Sequence, residues 1–258
     1  MRLENAVIIV TGSSVGLGAA TARIAASKGA RVLINYTKSE SEAEETAQAC
    51  RDLGGDAVLC QGNVAEDTDC RRMAAMALEQ WGRIDGLVNN AGSSVFASAA
   101  DLESLSGDDF LNIYKVNVVG AYQMIRAVVP HLKAQGKGSI VNVSSISAIT
   151  GGGSSIAYAA SKSALNTMTI SLARSLAPEI RVNAVCPGPI PTRWWDDGLG
   201  EEGAQQLFRS FEAQVPLQEA PSPESVAETI VWMLEAAGHV TGETIMIDSG
   251  MHLIGFKP

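Results

Sequence analysis

The stretch "VIIVTGSSVGLGAATARIA" (residues 7–25) decides the fold, because it places a glycine-rich turn between an apolar run and a helical pattern. Gly12 to Gly16 fit G-x-S-x-G, the nucleophile elbow of hydrolases, with Ser14 as the attacking group. The same letters fit a turn that holds the phosphates of a dinucleotide. Both interpretations place a strand before the turn, so the rest of the chain has to discriminate between them.

The bulk composition limits the class of protein. The chain has 258 residues, 46% hydrophobic and 18% charged, which predicts one α/β domain with a large core. A formal net charge of −9 argues against a nucleic-acid partner and against binding to anionic membranes. The first residues show neither a signal peptide nor a membrane-spanning run, so we expect a cytoplasmic protein.

The cysteines do not predict a metal site. Cys50, Cys60, Cys70 and Cys186 form no C-x-x-C pair, and none of the three histidines is near them in sequence. We expect no bound metal and reduced, mostly buried thiols, as is usual in the cytoplasm.

Short runs rich in Val and Ile alternate with longer helical patterns along the chain. The predicted strands are Val7–Thr11, Arg31–Tyr36, Ala57–Gln61, Gly86–Asn89, Ser139–Val143, Arg181–Cys186 and Thr244–Asp248. The predicted helices are Gly16–Lys28, Ser41–Leu53, Asp67–Trp81, Asp108–Lys133, Ser154–Leu176 and Pro223–Ala236. This alternation predicts a doubly wound, Rossmann-type parallel sheet of about seven strands, with helices on both faces, in a single domain over residues 1–258.

The alternation is interrupted between residues 187 and 215. Here a proline-rich segment is followed by a polar stretch that contains Trp194 and Trp195. Open α/β sheets place substrate lids in irregular insertions after the carboxyl end of a strand. We therefore predict an irregular substrate lid over about 187–215, with a plain surface loop as the alternative.

The position of the glycine-rich turn favours the dinucleotide interpretation. A hydrolase elbow normally has earlier strands in its sheet, whereas this turn follows the first predicted strand. His239 lies beside a predicted turn and His252 in the tail, so neither has the strand-end context of a general base. In a dinucleotide site, Gly12 permits the turn, Gly16 lets the backbone approach a pyrophosphate, and Gly18 lets the helix pack on the sheet.

Six motifs occur in the order found in one known family. They are TGSSVGLG (11–18), NNAG (89–92), the asparagine of YKVNVVG (117), IVNVSS (140–145), Y-x-x-x-K (158–162) and PGPIPT (187–192). On these motifs the chain resembles the short-chain dehydrogenases/reductases, which include 3-oxoacyl-carrier-protein reductases. The resemblance covers about residues 5–250 and implies an oxidoreductase that interconverts a carbonyl and a secondary alcohol by hydride transfer with NAD(P)(H).

Such a reaction needs a proton donor for the developing alkoxide. A phenol titrates near ~10, so it gives up its proton readily near neutrality only when a cation lowers its pKa. Tyr158 and Lys162 lie four residues apart on one predicted helix face, where the ammonium can approach the phenol. This spacing is also common on solvated helix faces, but Ser144 and Ser145 at a strand's carboxyl end favour a catalytic site.

The resemblance assigns further roles. It makes Ser145 the catalytic serine that hydrogen-bonds the substrate oxygen, and it leaves Ser144 structural. It adds Asn117, which would hold a water connecting Lys162 to solvent; a helix kink or cap at Asn117 is compatible with this role.

The resemblance also implies a cofactor site. Its expected residues are Gly12, Ser14, Val15, Gly16, Leu17, Gly18, Tyr36, Thr37, Lys38, Asn63, Val64, Asn90, Ala91, Gly92, Tyr158, Lys162, Pro187, Gly188, Ile190 and Thr192. Ser13 and Ser14 would hydrogen-bond along the phosphate path, Ile190 and Thr192 would hold the nicotinamide carboxamide, and a structural role for Asn90 is equally compatible.

The end of the second strand bears on cofactor choice. An acidic residue there would bind the ribose 2′-hydroxyl and repel a 2′-phosphate. Tyr36 occupies that position, and the following Lys38 favours NADP(H). Val15, where many NADP-using relatives have a basic residue, and the nearby Glu40 keep NAD(H) possible.

The substrate is predicted only broadly. Trp194 and Trp195 suggest an apolar or ring-bearing substrate, or packing within the lid itself. Lys133 and Lys137 are expected near the site mouth, yet the acidic chain offers no clear basic patch for an acyl carrier protein. We predict a small-molecule carbonyl or alcohol, with a 3-oxoacyl thioester or a non-catalytic dinucleotide sensor as alternatives. The family implies a homotetramer, or a homodimer.

Overall fold

The computed structural model describes residues 1–254 as a seven-stranded parallel sheet between helices. The strands are β1 (Val7–Val10), β2 (Arg31–Tyr36), β3 (Asp56–Gln61), β4 (Gly86–Asn89), β5 (Gly138–Val143), β6 (Ile180–Pro187) and β7 (Thr244–Ile247). The helices are α1 (Gly16–Ser27), α2 (Glu40–Asp52), α3 (Asp67–Trp81), α4 (Gly107–Tyr114), α5 (Ala121–Ala134), α6 (Ser147–Thr150), α7 (Ile156–Leu176), α8 (Arg193–Gln214) and α9 (Pro223–Glu235). The predicted fold class is confirmed, while the last four positions of the predicted domain, 255–258, lie outside the described residues.

The strand order creates a crevice in the sheet. The order is β3-β2-β1-β4-β5-β6-β7, and neighbouring strands are parallel. The chain winds outward from β1 to β3 and then crosses back to β4, so the connections after β1 and β4 leave in opposite directions. Open α/β sheets bind ligands outside the carboxyl ends of the strands at such a point.

The first strand shows how the sequence builds both layers. All four residues of β1 are buried, as expected for a strand covered on both faces. Val7 and Ile9 belong to the core cluster that includes α3 and α5, whereas Ile8 and Val10 belong to the cluster that includes α1 and α9. Alternate side chains of a strand point to opposite faces, so four apolar residues anchor both layers of helices.

The helix predicted over Asp108–Lys133 is wrong as a continuous α-helix. The structure divides it into α4, a π-helical turn over Lys115–Gly120, and α5. The turn brings Gly120 so close to Val64 that a Cβ there would lie 2.8 Å from a Val64 methyl carbon. Single π-turns inside α-helices are frequent at functional sites.

The irregular conformation predicted over 187–215 is also wrong, whereas the role of this segment as a substrate lid stays a prediction; we call α8 the lid. Most of the segment forms α8, which is two helical pieces joined at Gly200, where φ is +73°. Within α8, Ala204 and Phe211 are buried, and most other side chains reach solvent. A helix with so small a buried face has a weak apolar period, so its sequence resembles a polar loop.

The described residues hold no candidate metal cluster. Among residues 1–254, no group of three or more His, Cys, Asp or Glu side chains could hold a metal ion. The four cysteines are free and buried, and burial raises the pKa of Cys50 to about 11 and that of Cys70 to about 12. No helix in this part of the chain is both long and apolar enough to cross a membrane.

Candidate active site

The crevice at the carboxyl ends of β1 and β4 opens into a cleft of about 660 Å³. Every residue predicted to contact the cofactor lines this cleft, and so does Ser145. Asn117 does not line it and lies behind its wall. The cleft therefore brings together the glycine-rich turn, the strand ends, one face of α7 and the lid.

The glycine-rich turn adopts a conformation that favours glycine. Gly12 and Gly16 have φ of +59° and +58°. A Cβ on Gly18 would lie 2.4 Å from the Gly12 carbonyl oxygen and 2.5 Å from Asn90 Nδ2, so Gly18 permits close packing against the turn itself. Val15 precedes α1 without capping it through its side chain, and the first turn of α1 contains no acidic residue. A helix N-terminus of this kind attracts phosphate.

The predicted role of Ser13 in phosphate binding is wrong. Ser13 is fully buried, its hydroxyl donates to the Val10 carbonyl (2.7 Å), and it accepts from the backbone N–H of Asn35 (3.0 Å). The hydroxyl thus joins the turn to β2 rather than facing the cleft. Ser14, by contrast, lines the cleft.

Asn35 is a structural residue of the site that sequence reasoning missed. Its Oδ1 accepts the backbone N–H of Gly12 (3.0 Å), and its amide donates to the carbonyls of Gly62 (2.9 Å) and Cys60 (3.2 Å). One buried side chain therefore joins the glycine-rich turn to β2 and β3. The available signal was an amide inside the otherwise apolar run RVLINY.

The NNAG segment braces the same turn. The side-chain amide of Asn90 donates to the carbonyls of Thr11 (2.9 Å) and Gly12 (2.8 Å), while the Thr11 hydroxyl accepts the N–H groups of Asn90 and Ala91 (3.0 Å each). Asn90 thus has the structural role considered for it. A Cβ on Gly92 would lie 3.7 Å from Lys162 Nζ, so this glycine leaves the cleft open above the lysine.

Helix α7 places Tyr158 and Lys162 in the cleft. The Ser155 hydroxyl caps the helix by accepting the N–H of Tyr158 (3.2 Å), and Lys162 follows one turn later. Lys162 is almost fully buried, and its Nζ donates to the Val143 carbonyl (2.8 Å) at the end of β5. The same ammonium lies 5.5 Å from the centre of the Tyr158 ring.

Burial governs the ionisation of this pair. It raises the pKa of Tyr158 to about 12, and a hydrogen bond with Ser145 opposes the shift. Burial lowers the pKa of Lys162 to about 8. The expectation that the cation would lower the tyrosine pKa is therefore not met in this structure, because desolvation of the phenolate outweighs every favourable contact.

Asn117 lies in the π-helical turn and is buried. Its Oδ1 accepts the N–H of Ser93 (2.8 Å), and its amide donates to the Ser93 carbonyl (3.0 Å) and to the hydroxyl of Ser161 (2.9 Å). The side chain thus ties the segment after NNAG to α7, next to Lys162. The helix irregularity considered for Asn117 is present as this π-turn.

The ends of β2 and β3 form one rim of the cleft, where the adenosine of the cofactor is predicted. The Tyr36 hydroxyl donates to Glu40 (3.0 Å), and Lys38 lies exposed on the same rim. Asn63 accepts the N–H of Ala65 (3.0 Å) through its side chain, so its acceptor oxygen already has a partner. The rim therefore carries one ammonium and one carboxylate within three residues of each other in sequence.

The lid crosses to this end of the cleft. Arg193, the first residue of α8, contacts Glu42 (3.0 Å) and the hydroxyl of Ser39 (3.0 Å) at the start of α2. The preceding Thr192 lies directly above the glycine-rich turn, with its methyl 3.4 Å from the position of a Cβ on Gly16. No local pattern in the sequence predicts the contact of Arg193 with α2, because the two segments lie about 150 positions apart.

Two lysines were placed wrongly. Lys133 lies in the last turn of α5, and Lys137 directly precedes β5. Both are therefore at the amino edge of the sheet, whereas Ser145 follows the carboxyl end of β5, roughly 17 Å away along the strand. They are not at the mouth of the site.

The hydrolase interpretation fails on distance. Contrary to expectation, His252 lies near the end of a strand. Its Nδ1 contacts Asp248 (2.8 Å), the residue that directly follows β7. Ser14 follows β1, and β1 and β7 are four strand spacings apart, about 19 Å. This histidine cannot activate that serine.

Comparisons with known proteins agree with the fold. A family model described as "Enoyl-(Acyl carrier protein) reductase" matches residues 12–252. The chain is 38% identical to "Granaticin polyketide synthase putative ketoacyl reductase 2" of Streptomyces violaceoruber, over 97% of this chain and 98% of that protein. It is 37% identical to a 7alpha-hydroxysteroid dehydrogenase of Clostridium sardiniense, over 98% and 95% of the two chains.

A solved structure gives the same result. The crystal structure of a "putative short-chain dehydrogenase/reductase" from Burkholderia xenovorans superimposes with a TM-score of 0.90 at 36% identity, covering 96% of this chain and 98% of that one. The fold and the cleft define a Rossmann-type oxidoreductase. The chain belongs to the short-chain dehydrogenase/reductase family, whose members act on hydroxyl or carbonyl substrates with nicotinamide cofactors.

Proposed function

We propose that this protein interconverts a ketone and a secondary alcohol, with Tyr158 as general acid in reduction and general base in oxidation. The observation that carries the proposal is the position of Tyr158. It shares one cleft with an uncapped helix N-terminus, with Ser145 at the end of β5, and with a buried ammonium. This combination provides a place for phosphates, an oxygen-binding group and a proton donor.

The residues present fit a dinucleotide. The cleft is long enough to run from Lys38 at one rim to Tyr158, and the turn between β1 and α1 has two glycines with positive φ. The N–H groups at the start of α1 would bind the diphosphate, and Ile190 and Thr192 would hold the carboxamide. When bound, the nicotinamide supplies or accepts the hydride.

Two side chains around the substrate oxygen have different roles in the reaction. Ser145 donates a hydrogen bond to the substrate oxygen and holds it in place. Tyr158 transfers its phenolic proton to that oxygen during reduction. Burial raises the pKa of Tyr158 to about 12, so the phenol carries the proton that reduction requires at neutral pH.

The reverse direction requires Tyr158 to lose that proton first. Lys162, held by the Val143 carbonyl, then stabilises the phenolate through its positive charge. Burial lowers the pKa of Lys162 to about 8, so this support weakens as the pH rises above that value.

NADP(H) is the preferred cofactor in this proposal, and NAD(H) is the second choice. Tyr36 replaces the acidic residue that would repel a 2′-phosphate, and its hydroxyl is engaged by Glu40. Lys38 and the hydroxyls of Thr37 and Ser39 are available on the rim. A relative named L-rhamnose 1-dehydrogenase (NAD(P)(+)) carries both cofactors in its name, which supports dual use as the alternative.

Reduction of a 3-oxoacyl thioester is the second candidate function. It is favoured by the relative named as a ketoacyl reductase and by the description of the matching family. A non-catalytic dinucleotide sensor fits less well, because Asn117, Ser145, Tyr158 and Lys162 are all present.

The test is a screen of ketones, sugars, quinones and 3-oxoacyl thioesters with NADPH and NADH in parallel, following the absorbance of the reduced nicotinamide. We expect oxidation of NADPH with at least one ketone and tighter binding of NADPH than of NADH. Cofactor binding without turnover of any compound would favour the sensor. Labelling by a fluorophosphonate probe would revive the hydrolase interpretation.

We further propose a homotetramer, with a homodimer as the alternative. Seven large apolar side chains on α4, the π-turn, α5 and α7 are at least one-third exposed: Phe110, Leu111, Tyr114, Val119, Tyr122, Ile156 and Ile170. An exposed apolar face of this kind indicates a protein–protein contact. Light scattering coupled to size-exclusion chromatography measures the mass, and a monomer would contradict the proposal.

A further inference from the structure

Aromatic rings form the substrate end of the cleft. Trp194, on the lid, lies with its ring centre 5.9 Å from that of Tyr158 and 6.4 Å from that of Phe96. Trp195 packs edge-on between Phe96 (5.8 Å) and Phe208 (6.3 Å). Both tryptophans line the cleft, so the proton donor faces a wall of flat, apolar side chains.

The rings of this wall are closely packed. Phe96 fits so closely against Gly198 of α8 that a Cβ there would lie 2.1 Å from its ring. Each tryptophan has two ring neighbours, but those of Trp195 are Phe96 and Phe208, whereas Trp194 lies beside Tyr158. Trp194 is therefore the residue that a bound substrate meets opposite the reacting group.

The charges around this end are negative. Asp197 lines the cleft next to the tryptophans, and Asp196, Glu201 and Glu202 are exposed on the same part of the lid. Within residues 1–254, the cationic side chains that line the cleft are Lys38, Lys162 and Arg193.

None of these three cations is placed to pair with an anionic substrate. Lys162 is held by a backbone carbonyl, Arg193 is paired with Glu42, and Lys38 lies at the adenosine rim. An anionic substrate would therefore meet carboxylates at the mouth without a matching cation.

We infer that the substrate is an uncharged, ring-bearing ketone, or the corresponding secondary alcohol, that stacks on Trp194. Thioesters of coenzyme A or of an acidic carrier protein are disfavoured by the negative charges at the mouth of the cleft. This inference rests on the proposed function, because it takes Tyr158 as the proton donor. It adds a substrate class to that function, and it disfavours the 3-oxoacyl thioester as substrate.

The experiment compares kcat/KM for three probes with NADPH. The probes are 1-tetralone (ring-bearing and uncharged), 2-octanone (uncharged and acyclic) and acetoacetyl-coenzyme A (anionic). We expect 1-tetralone to exceed both others by roughly three- to tenfold, as expected for one stacked aromatic contact. Equal or better turnover of 2-octanone or of acetoacetyl-coenzyme A would overturn the inference and leave the proposed function intact.

A variant of Trp194 tests whether this residue causes the preference for 1-tetralone over 2-octanone. In Trp194→Ala, the ratio of kcat/KM for 1-tetralone to that for 2-octanone should fall roughly three- to tenfold, mainly through KM. Trp194→Phe, which keeps a ring, should recover most of the ratio. A ratio that does not change in Trp194→Ala would contradict the inference even if both rates fall, because a merely structural defect affects both ketones alike.

A charge variant tests the selection against anions. Glu201→Gln/Glu202→Gln should raise kcat/KM for acetoacetyl-coenzyme A several-fold at low salt, and the gain should disappear in 0.5 M NaCl. Absence of any gain at low salt would remove the electrostatic part of the inference. Turnover of no ketone with either cofactor would instead mean that the proposed function has failed, and the inference with it.

Discussion

The cofactor end and the lid of the same cleft are built in opposite ways. Around the glycine-rich turn, Ser13 and Asn35 are buried and their side chains are hydrogen-bonded, and the same holds for Asn117 beside α7. In the lid helix α8, two of the 22 residues are buried, and one end is held by an exposed ion pair. Buried polar networks specify one geometry, whereas a lid held at its surface tolerates exchange of its side chains. The proposed cofactor end is therefore fixed by buried hydrogen bonds, whereas the proposed substrate end depends on a helix that is mostly exposed.

The strongest test of this comparison is Tyr158→Phe. Loss of the phenolic proton donor should lower kcat roughly a thousandfold, while NADPH binding is retained. Stopped-flow or steady-state absorbance measures turnover, and fluorescence titration measures cofactor affinity. Tyr114→Phe, at an exposed tyrosine on α4, is the matched control. More than a tenth of wild-type turnover in Tyr158→Phe would show that another group donates the proton.

Gly18→Ala tests the tight packing of the cofactor end. The new methyl would meet the Gly12 carbonyl oxygen and the Asn90 amide at about 2.5 Å, so the turn must shift. We expect a loss of about 1–3 kcal/mol in the free energy of unfolding, together with weaker NADPH binding. Urea denaturation gives the stability. Gly107→Ala, where a Cβ would meet open space, should show neither effect.

The buried ammonium predicts a pH dependence of stability. Burial lowers the pKa of Lys162 to about 8, below its value in the unfolded chain. Between pH 8 and about 10.5 the unfolded chain therefore binds more protons, so stability rises with pH in that window. Relative to Lys162→Met, wild type should gain roughly 2–3 kcal/mol between pH 7 and pH 10.

The measurement is urea unfolding of both proteins at the two pH values. Other titrating groups are shared by the two proteins and cancel in the difference. Lys133→Met, at an exposed lysine, provides the control and should follow wild type. A difference between wild type and Lys162→Met that is independent of pH would mean that Lys162 keeps an ordinary pKa in the folded protein.

Arg193→Ala probes the contact between the two regions and should have the smallest effect. The Arg193–Glu42 pair is exposed, so thermal unfolding should change little. Because the pair closes the lid over the glycine-rich turn, NADPH should dissociate several-fold faster. Stopped-flow displacement measures this rate, with Arg71→Ala as a surface control. An unchanged dissociation rate would show that the contact does not restrain the cofactor.

Much of the cofactor end could be predicted from local sequence. The strand VIIV, the glycines at 12, 16 and 18 and the Tyr158–Lys162 spacing are short-range patterns, and they predict where each residue lies along an element. Every predicted strand agrees with the structure within one residue at each end. Parallel strands then bring their carboxyl ends together, so residues from distant motifs meet at one edge.

The lid could not be predicted in this way. Its helix has almost no buried face, so the apolar period that reveals helices is weak, and the sequence pattern predicts an irregular insertion instead. Its contacts with Phe96, Tyr158, Ser39 and Glu42 join residues that are far apart in sequence. Such pairs have no local signature, because they depend on where the whole helix is placed.

By itself, the sequence determined the doubly wound sheet, the glycine-rich turn, and the location of the serine, tyrosine and lysine at one end of the cleft. The order of apolar and polar residues along a strand or helix determines locally which face is buried, so these features can be predicted from the sequence. Only the tertiary structure decided how deeply Tyr158 and Lys162 are desolvated, which rings face them, and where the charges of the lid lie. Those properties depend on distances between separate segments, and desolvation and electrostatic interactions are set by those distances.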